Sequence, residues 1–238
     1  MVENYIFDLY GTLIDIETDE ESLPLWEKLA DFYGGAGAFY EPEELKKRYR
    51  ALVTEQEEAL AQKSGVPREV VEIRLEEVFA ALFEEKGARD YEALLAQVGP
   101  FFREASTHYI RLFPGTDELL RRLHEAGKGV FLLSNAQRIF TESEMRKLGI
   151  ADSFDGILLS SDAGVKKPSS LFFSKLMEKY DIEKDTCVMV GNDCNADIGG
   201  AHVFGIPSIY IHTNQSTPLT QPLPEDCTRV ECIGDVFP

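Results

Sequence analysis

Near its start the chain reads Tyr5-Ile6-Phe7-Asp8-Leu9-Tyr10-Gly11-Thr12-Leu13, an apolar run that passes into a carboxylate and then turns at a glycine. A buried strand that ends in this way places Asp8 at the carboxyl edge of a sheet, where ligands bind in open α/β folds. A carboxylate held there can act as a nucleophile and form an aspartyl intermediate. The alternative is a strand followed by an ordinary turn, with Asp8 bonded only to nearby N–H groups. These residues alone leave both interpretations open.

Three further polar segments follow strand-like runs later in the chain. Ser134-Asn135 ends the apolar run 129–133, and a hydroxyl with the first N–H groups of a following helix suits a phosphate oxygen. Lys166-Lys167-Pro168 supplies a cation before a helix, with the proline expected in the first turn of that helix. Gly191-Asn192-Asp193, followed by Asp197, supplies hard oxygen ligands suited to Mg²⁺. Four such segments in a row favour a catalytic site over four unrelated caps and turns.

A nucleophile, a hydroxyl, a lysine and an acidic pair in this order closely resemble the motifs of the haloacid dehalogenase-like hydrolase superfamily. The resemblance covers residues 4–16 and roughly 112–211. It implies an α/β fold, with a Rossmann-like parallel sheet core that carries helices on both faces and an inserted α-helical cap.

The pattern of apolar residues predicts the same kind of core. From about Phe113 onward, short strands that are apolar on both faces alternate with amphipathic helices, which is typical of a parallel sheet covered on both sides. The predicted strands are 4–9, 129–134, 156–160, 186–190, 206–211 and an edge strand at 228–233. The predicted helices are 116–126, 138–147, 168–180 and 196–204.

Residues 20–108 contain no convincing strand and instead four segments with apolar residues at helical spacing, the third of them starting at Val71. Prolines and glycines mark the expected helix starts and stops: Pro42, Pro67, Gly34, Gly65 and Gly87. A helical bundle inserted directly after the nucleophile loop resembles the family's cap, which closes over the core. The alternative is a structural bundle with no role in catalysis.

We therefore expect a core made of residues 1–16 and 112–238 and a cap made of residues 17–111, with hinges near 16–18 and 112–114. Substrate choice would be set by cap side chains, for example Trp26, Tyr49, Arg50 and Tyr91. The polar, proline-containing stretch from Thr213 to Pro224 is expected to be an exposed loop.

The resemblance assigns roles to the motif residues around a metal. Asp8 attacks phosphorus and holds Mg²⁺ together with the Tyr10 backbone carbonyl and Asp193. Asn192 occupies a second ligand position, where an amide in place of a carboxylate would weaken Mg²⁺ binding. Asp197 would complete the metal site from behind the ligands, by orienting metal-bound water or Lys167.

Other motif residues are expected to bind the phosphate. Lys167 would neutralise Asp8 and a phosphate oxygen so that the two anions can approach, while Lys166 points to solvent. Thr12 and Ser134 would donate hydroxyl hydrogen bonds to the phosphate, and the backbone N–H groups of Leu9 and Asn135 would add to them.

Tyr10 is the main departure from the family pattern. Family phosphatases usually carry a second aspartate two residues after the nucleophile, as general acid for the leaving group and base for water. A tyrosine, with an unperturbed pKa near 10, performs this task poorly at neutral pH. L-2-haloacid dehalogenases carry a similar Asp-x-Tyr-Gly-Thr motif and expel halide, which needs no proton.

Three functions therefore compete. The first is a Mg²⁺-dependent phosphatase that acts on a small phosphorylated metabolite and favours good leaving groups such as acyl phosphates. The second is a 2-haloacid dehalogenase, which needs no metal. The third is a catalytically weak binding or regulatory protein. The retained pair Asp193 and Asp197 favours the phosphatase over the dehalogenase, in which a Ser-Ser-Asn run is typical at this place.

The composition restricts the partners. Acidic residues number 42 and basic residues 24, so the net charge of −18 repels nucleic acid and anionic membranes, and we expect neither as a partner. Four cysteines without metal-binding spacing, no signal-peptide pattern and no membrane-length apolar run predict a cytoplasmic protein with free thiols. We expect the chain to be a monomer or a homodimer.

Overall fold

The computed structural model describes residues 2–89, 91–219 and 221–237, in which the following strands and helices form. The strands are β1 (Asn4–Phe7), β2 (Ile14–Thr18), β3 (Thr107–Leu112), β4 (Gly129–Ser134), β5 (Gly156–Leu159), β6 (Cys187–Gly191), β7 (Ser208–Ile211) and β8 (Cys227–Val230). The helices are α1 (Leu23–Gly35), α2 (Pro42–Ser64), α3 (Leu75–Glu85), α4 (Glu92–Ser106), α5 (Thr116–Glu125), α6 (Arg138–Lys147), α7 (Ser160–Ala163), α8 (Ser170–Tyr180) and α9 (Gly200–Phe204).

The central sheet has six strands in the order β5-β4-β1-β6-β7-β8, and every neighbouring pair is parallel. Strand β1 lies in the middle, between β4 and β6, so the segments that follow these three strands meet at one edge of the sheet. The predicted parallel core, including its edge strand, is confirmed.

Each face of this sheet is covered by its own hydrophobic core. Tyr5 and Phe7 of β1 point to a core that includes apolar residues of α5, whereas Ile6 points to the opposite core, with residues of α8. Alternate side chains of a strand face opposite sides, so a strand buried on both sides must be apolar throughout. This is the reason that the strand-like runs of the sequence are continuous rather than alternating.

Helices α1 to α4 form a separate bundle, which we call the cap, with a core of its own rich in aromatic rings. Phe102 of α4 stacks on Phe140 of α6, with ring centroids 6.0 Å apart, and thereby joins the cap to the parallel core. The third cap helix begins at Leu75 rather than Val71, because Val71 forms an isolated bridge with Val165 instead. Pro67 precedes a short 3₁₀ turn, Arg68–Val70, and does not start an α-helix.

A second, two-stranded sheet was not predicted from the sequence pattern. Strands β2 and β3 pair antiparallel, from Ile14 opposite Leu112 to Thr18 opposite Thr107, and together they connect the core to the cap. This two-stranded sheet lies at both predicted hinges. Residues of β3 are half-buried or exposed along its whole length, so they lack the apolar alternation by which a strand is recognised.

Pro168 also differs from expectation. Helix α8 begins two residues later, at Ser170, and Pro168 lies in the preceding loop after a cis peptide bond from Lys167. Among the described residues, no helix combines the length and the apolar character that a membrane span requires.

Candidate active site

Asp8 is the first residue after β1, and its backbone N–H donates to the Val190 carbonyl at 2.9 Å. The chain then turns tightly, with the N–H groups of Leu13 and Ile14 donating to the Leu9 carbonyl at 2.8 and 2.9 Å. Gly11 completes the turn with a φ of 83°, and a Cβ there would collide with the side chain of Asn192. Glycine is therefore required at position 11 by both the backbone conformation and the space.

Lys167 is the centre of a buried ion cluster. Its Nζ lies 2.7 Å from Asp8 Oδ1 and 2.7 Å from Asp197 Oδ1, and its side chain is only 1% exposed. The loop that carries Lys167 is fixed by Asn135, whose Oδ1 accepts from the Lys167 N–H at 2.7 Å and whose Nδ2 donates to the Lys167 carbonyl at 3.0 Å. The sequence placed Asn135 at the phosphate, and the structure shows that its side chain holds the lysine loop.

The pKa values of two groups in this cluster, Lys167 and Asp197, are both raised above their usual values. Burial alone would lower the pKa of Lys167, but Asp197 and Asp8 beside it outweigh burial and raise that pKa. Burial raises the pKa of Asp197 to about 7, against the lowering effect of Lys167. A charged Lys167 between two carboxylates is the arrangement that lets an anionic substrate approach Asp8.

The hydroxyl groups predicted for phosphate binding both reach Asp8. Ser134 Oγ donates to Asp8 Oδ1 at 3.1 Å, and Thr12 Oγ1 lies 3.2 Å from Asp8 Oδ2. Thr12 Oγ1 also lies 3.1 Å from Oδ1 of Asn192, and Thr12 is fully buried below the cavity. The Leu9 side chain is likewise fully buried. Thr12 is thus a support of Asp8 and Asn192, whereas Ser134 also faces the cavity.

In the acidic segment after β6, the carboxylates of Asp193 and Asp197 have different hydrogen-bond partners. Asp193 Oδ1 accepts from the N–H groups of Asn195 and Ala196 at 2.8 and 2.7 Å, and so caps a π-helical turn, Cys194–Gly199. Asp197 Oδ2 accepts from the Asp193 N–H at 2.9 Å, while its other oxygen accepts from Lys167. Asp197 therefore holds Lys167 with one oxygen and the Asp193 backbone with the other.

A cavity of about 210 Å³ lies over this cluster. It is lined by Asp8, Tyr10, Ser134, Asn135, Lys167, Asn192, Asp193, Ala196, Asp197 and Gln215. No group of three or more His, Cys, Asp or Glu side chains in the described part of the chain is arranged to hold a metal. A cation at Asp8 and Asp193 would therefore also need amide, carbonyl and water oxygens, a mixed set that Mg²⁺ accepts. The donor set fits Mg²⁺, with less negative charge than a site of three carboxylates.

The Tyr10 hydroxyl is bonded to helix α6 and not to Asp8. It donates to Glu144 and lies 3.0 Å from Thr141 Oγ1, both on α6. Burial and the neighbouring Glu144 carboxylate raise the pKa of Tyr10 far above its usual value. The hydroxyl is therefore bonded away from the reacting centre, and the ring serves as a wall of the cavity.

A second cavity, of about 240 Å³, lies on the cap side of Tyr10. Cap and linker residues that line it are Glu20, Glu72, Leu75 and Arg103, and core residues are Tyr10, Asn135, Ala136, Gln137, Phe140 and Thr141. The cap side chains expected to set the substrate lie elsewhere. Trp26 and Tyr49 are buried inside the cap, Arg50 is exposed beside Glu21, and Tyr91 stacks on Phe83. Helical spacing identified the apolar face of each helix but not the residues directed at the core.

Gln215 also lines the first cavity and was not predicted from the sequence. Its Nε2 donates to Asp15 Oδ1 at 2.9 Å and to the Ile16 carbonyl at 2.7 Å. Thr213 Oγ1 donates to the Gly11 carbonyl at 2.8 Å, so the first part of the predicted exposed loop packs against the turn that follows Asp8. A polar, proline-containing stretch carries no signal for such contacts.

A parallel α/β core with an inserted helical cap, and a buried Asp8–Lys167–Asp197 cluster where the strands end, is the architecture of a capped hydrolase. Residues 2–205 match the haloacid dehalogenase-like hydrolase family, and the chain belongs to this family.

Several relatives with assigned activities are phosphatases. A ribulose-1,5-bisphosphate 5-phosphatase from Halopiger xanaduensis is 27% identical over 52% of this chain and 52% of the relative. A phosphoglycolate phosphatase from Vibrio vulnificus is 31% identical over 47% of this chain and 51% of the relative. The chain thus spans about half the length of these two relatives. A solved structure of a 2-haloacid dehalogenase from Pseudomonas syringae shares the fold, with a TM-score of 0.69, 21% identity and coverage of 99% of this chain and 96% of that one.

Proposed function

We propose that this protein is a Mg²⁺-dependent phosphohydrolase that acts on a small phosphorylated metabolite through an aspartyl-phosphate on Asp8. The observation that carries this proposal is the cavity in which Asp8, Lys167, Asn192 and Asp193 meet. Displacement of halide needs a carboxylate and a cation but no bound metal, so it does not require a set of metal ligands beside the nucleophile. The substrates named for the two relatives, ribulose-1,5-bisphosphate and phosphoglycolate, support a small phosphorylated metabolite.

The chain's own residues account for the chemistry as follows. Lys167 and Ser134 hold Asp8 Oδ1, so the carboxylate is oriented before the substrate binds. An Asp8 oxygen forms a bond to phosphorus while the bond between phosphorus and the leaving-group oxygen breaks. Water then attacks phosphorus, and Asp8 is regenerated as phosphate leaves. Bound Mg²⁺ would supply positive charge that stabilises the transferring phosphoryl group.

The surroundings of Tyr10 support a preference for good leaving groups. Its hydroxyl bonds to Glu144 and Thr141, and its raised pKa makes it a weak proton donor at neutral pH. Asp15 is not a substitute, because its carboxylate accepts from Arg111, Tyr109 and Gln215 and does not line the cavity. The leaving group should therefore depart without a proton from either residue.

The rate of the wild-type protein is expected to depend steeply on the pKa of the leaving group, so acetyl phosphate and p-nitrophenyl phosphate should be far better substrates than a sugar phosphate. Tyr10→Asp should narrow this gap, because general acid catalysis commonly contributes about 10²–10⁴-fold. Tyr10→Phe is the matched control: it keeps the aromatic wall and should leave the slope unchanged. A flat Brønsted plot for the wild-type protein would contradict this account of Tyr10.

Binding of Mg²⁺ is expected to affect both stability and activity. Mg²⁺ should raise the unfolding temperature modestly by binding the folded state, and it should be required for phosphate release. Asn192→Asp should lower the unfolding temperature without metal, because it adds a buried carboxylate near Asp8, and should increase the stabilisation by Mg²⁺. Asp193→Asn should reduce that stabilisation, while its amide oxygen can still cap the turn. Thermal unfolding over a Mg²⁺ titration compares the wild-type protein with both variants, and a response that is the same in all three proteins would contradict the ligand assignment.

A 2-haloacid dehalogenase is the second candidate, and the observation that favours it is Tyr10 itself in the Asp-x-Tyr-Gly-Thr motif. The likeness to a solved dehalogenase concerns the fold alone.

The proposal also includes a cytoplasmic location and a monomeric or homodimeric state without nucleic-acid or membrane partners. The free thiols of Cys187, Cys194, Cys227 and Cys232 support this location.

A further inference from the structure

We propose that the cavity on the cap side of Tyr10 binds the leaving group, that it rejects leaving groups with a negative charge, and that it favours those with an ammonium group. The inference rests on the proposed phosphohydrolase function and adds the class of substrate. We call this cavity the leaving-group cavity; its acidic residues are Glu20 and Glu72.

The position of the cavity determines what enters it. It shares Tyr10 and Asn135 with the cavity over Asp8, so the two are neighbours on either side of the Tyr10 ring. A phosphoryl group held at Asp8 and Lys167 fills the first cavity, and the rest of a substrate extends past Tyr10 towards the cap. A volume of about 240 Å³ admits a small leaving group.

The positive charge in the leaving-group cavity is already neutralised. Arg103 is the one cation among the described residues that line the leaving-group cavity. Its Nε lies 2.7 Å from Glu144 Oε1, and its NH1 lies 3.7 Å from Glu20 Oε1. The guanidinium also lies over the Tyr10 ring, 5.4 Å from the ring centroid. These contacts on several sides leave Arg103 poorly placed to pair with a carboxylate or second phosphate of a substrate.

A negative charge in the leaving-group cavity, that of Glu72, is held in place by hydrogen bonds. Glu72 accepts from Gln137 Nε2 and from Ser160 Oγ, each at 2.9 Å. The backbone around Glu72 is attached to the core as well, because the Lys166 N–H donates to the Val70 carbonyl at 2.9 Å and the Glu72 N–H donates to the Gly164 carbonyl at 3.2 Å. The Glu72 carboxylate therefore cannot easily move to a position farther from an anion in the cavity.

Both acids are also partly desolvated. Burial raises the pKa of Glu72, with Lys166 acting in the opposite direction, and burial raises the pKa of Glu20 against the effect of Arg103. A desolvated carboxylate gains from a cation beside it and loses from a second anion. With one neutralised arginine and two acids, the lining disfavours an anionic leaving group and stabilises an ammonium group.

The test uses three aryl phosphates in which two methylene groups separate the varied group from the ring, so that the leaving phenols have similar acidity: 4-(2-aminoethyl)phenyl, 4-(2-hydroxyethyl)phenyl and 4-(2-carboxyethyl)phenyl phosphate. Similar acidity separates the effect of charge from the leaving-group effect of Tyr10. We expect kcat/KM to fall from the ammonium to the neutral to the carboxylate ester, with at least about tenfold between the extremes, since a like-charge contact costs this much or more.

In the variant with Glu20→Gln and Glu72→Gln, the kcat/KM values of the three esters should become nearly equal, mainly through changes in KM. The matched control carries Glu17→Gln and Glu69→Gln, which remove two exposed charges three residues earlier in the chain and lie outside the cavity. This control should keep the wild-type order. The single variant Glu20→Gln, at a half-exposed position, gives the same comparison if the double variant does not fold.

The outcomes separate the two proposals. Phosphate release with equal rates, with the carboxylate ester fastest, or with an unchanged order in the Glu20 and Glu72 variants would overturn the charge selection and leave the phosphohydrolase function standing. No phosphate release from any of the three esters, or from p-nitrophenyl phosphate, would overturn the proposed function and this inference with it.

Discussion

Replacement of Asp8 by asparagine is expected to abolish turnover while the protein stays folded. The amide is nearly isosteric with the carboxylate but is not nucleophilic, so the loss should be on the order of 10⁴-fold or more. Lys167 keeps its ion pair with Asp197 in this variant, so the buried cation is not left alone. Steady-state phosphate release and thermal unfolding measure the two effects.

Asp15→Asn is the matched control for this experiment. Asp15 is also a buried aspartate, but its carboxylate bonds to Arg111 on β3 and is not in the cavity over Asp8. Its substitution should lower stability somewhat and leave most of the activity. Hydrolysis retained in Asp8→Asn would remove Asp8 from the mechanism, and an equal loss in Asp15→Asn would show that the effect is structural.

Lys167→Met is expected to have the second largest effect, on both activity and stability. The substitution leaves Asp8 and Asp197 buried side by side without a cation, and removal of one partner from a buried ion pair typically costs about 3–5 kcal/mol. A phosphate would also meet Asp8 without a neutralising charge, so turnover should fall to background. Chemical denaturation and phosphate release measure the two consequences.

Two further variants make this prediction specific. Lys166→Met changes the neighbouring, half-exposed lysine and should leave kcat and stability nearly unchanged. Asp197→Asn added to Lys167→Met should recover part of the lost stability, because one of the two unpaired carboxylates is then neutral. Wild-type stability in Lys167→Met would contradict the ion cluster that the structure shows.

The sequence predicts the parallel core well because the physical cause is local. A strand covered on both sides must be apolar throughout, as at 129–134, and a polar residue directly after such a strand lies at the edge of the sheet. Asp8, Ser134 and Asn192 could be brought together on this argument alone. Lys167 does not follow a strand directly, because α7 lies between it and β5, and it is predicted instead from its position before a helix.

Other features depend on contacts between residues far apart in the chain. Tyr10 bonds to Glu144 of α6, Gln215 bonds to Asp15, and Arg103 of the cap reaches Glu144. Polar pairs of this kind produce no periodic pattern in the sequence. The same holds for β3, whose residues are half-exposed and which pairs with β2 nearly one hundred residues earlier in the chain.

The cap is the region whose functional residues are hardest to predict from the sequence. Its aromatic residues repeat at helical spacing because they face the core of the cap, and Trp26 and Tyr49 are buried there. The residues that face the leaving-group cavity, Glu20, Glu72 and Arg103, are polar and lie at or near helix ends and linkers. Their direction follows from the docking of cap and core, which no single segment encodes.

A paired release assay tests whether Asp8 attacks phosphorus with the help of a metal. The protein is incubated with acetyl phosphate and, separately, with L-2-chloropropionate, with and without EDTA, and both phosphate and chloride are measured. We expect phosphate release that stops in EDTA and returns with excess Mg²⁺, and no chloride above the blank. Chloride release that persists in EDTA, or no release of either anion, would contradict the account.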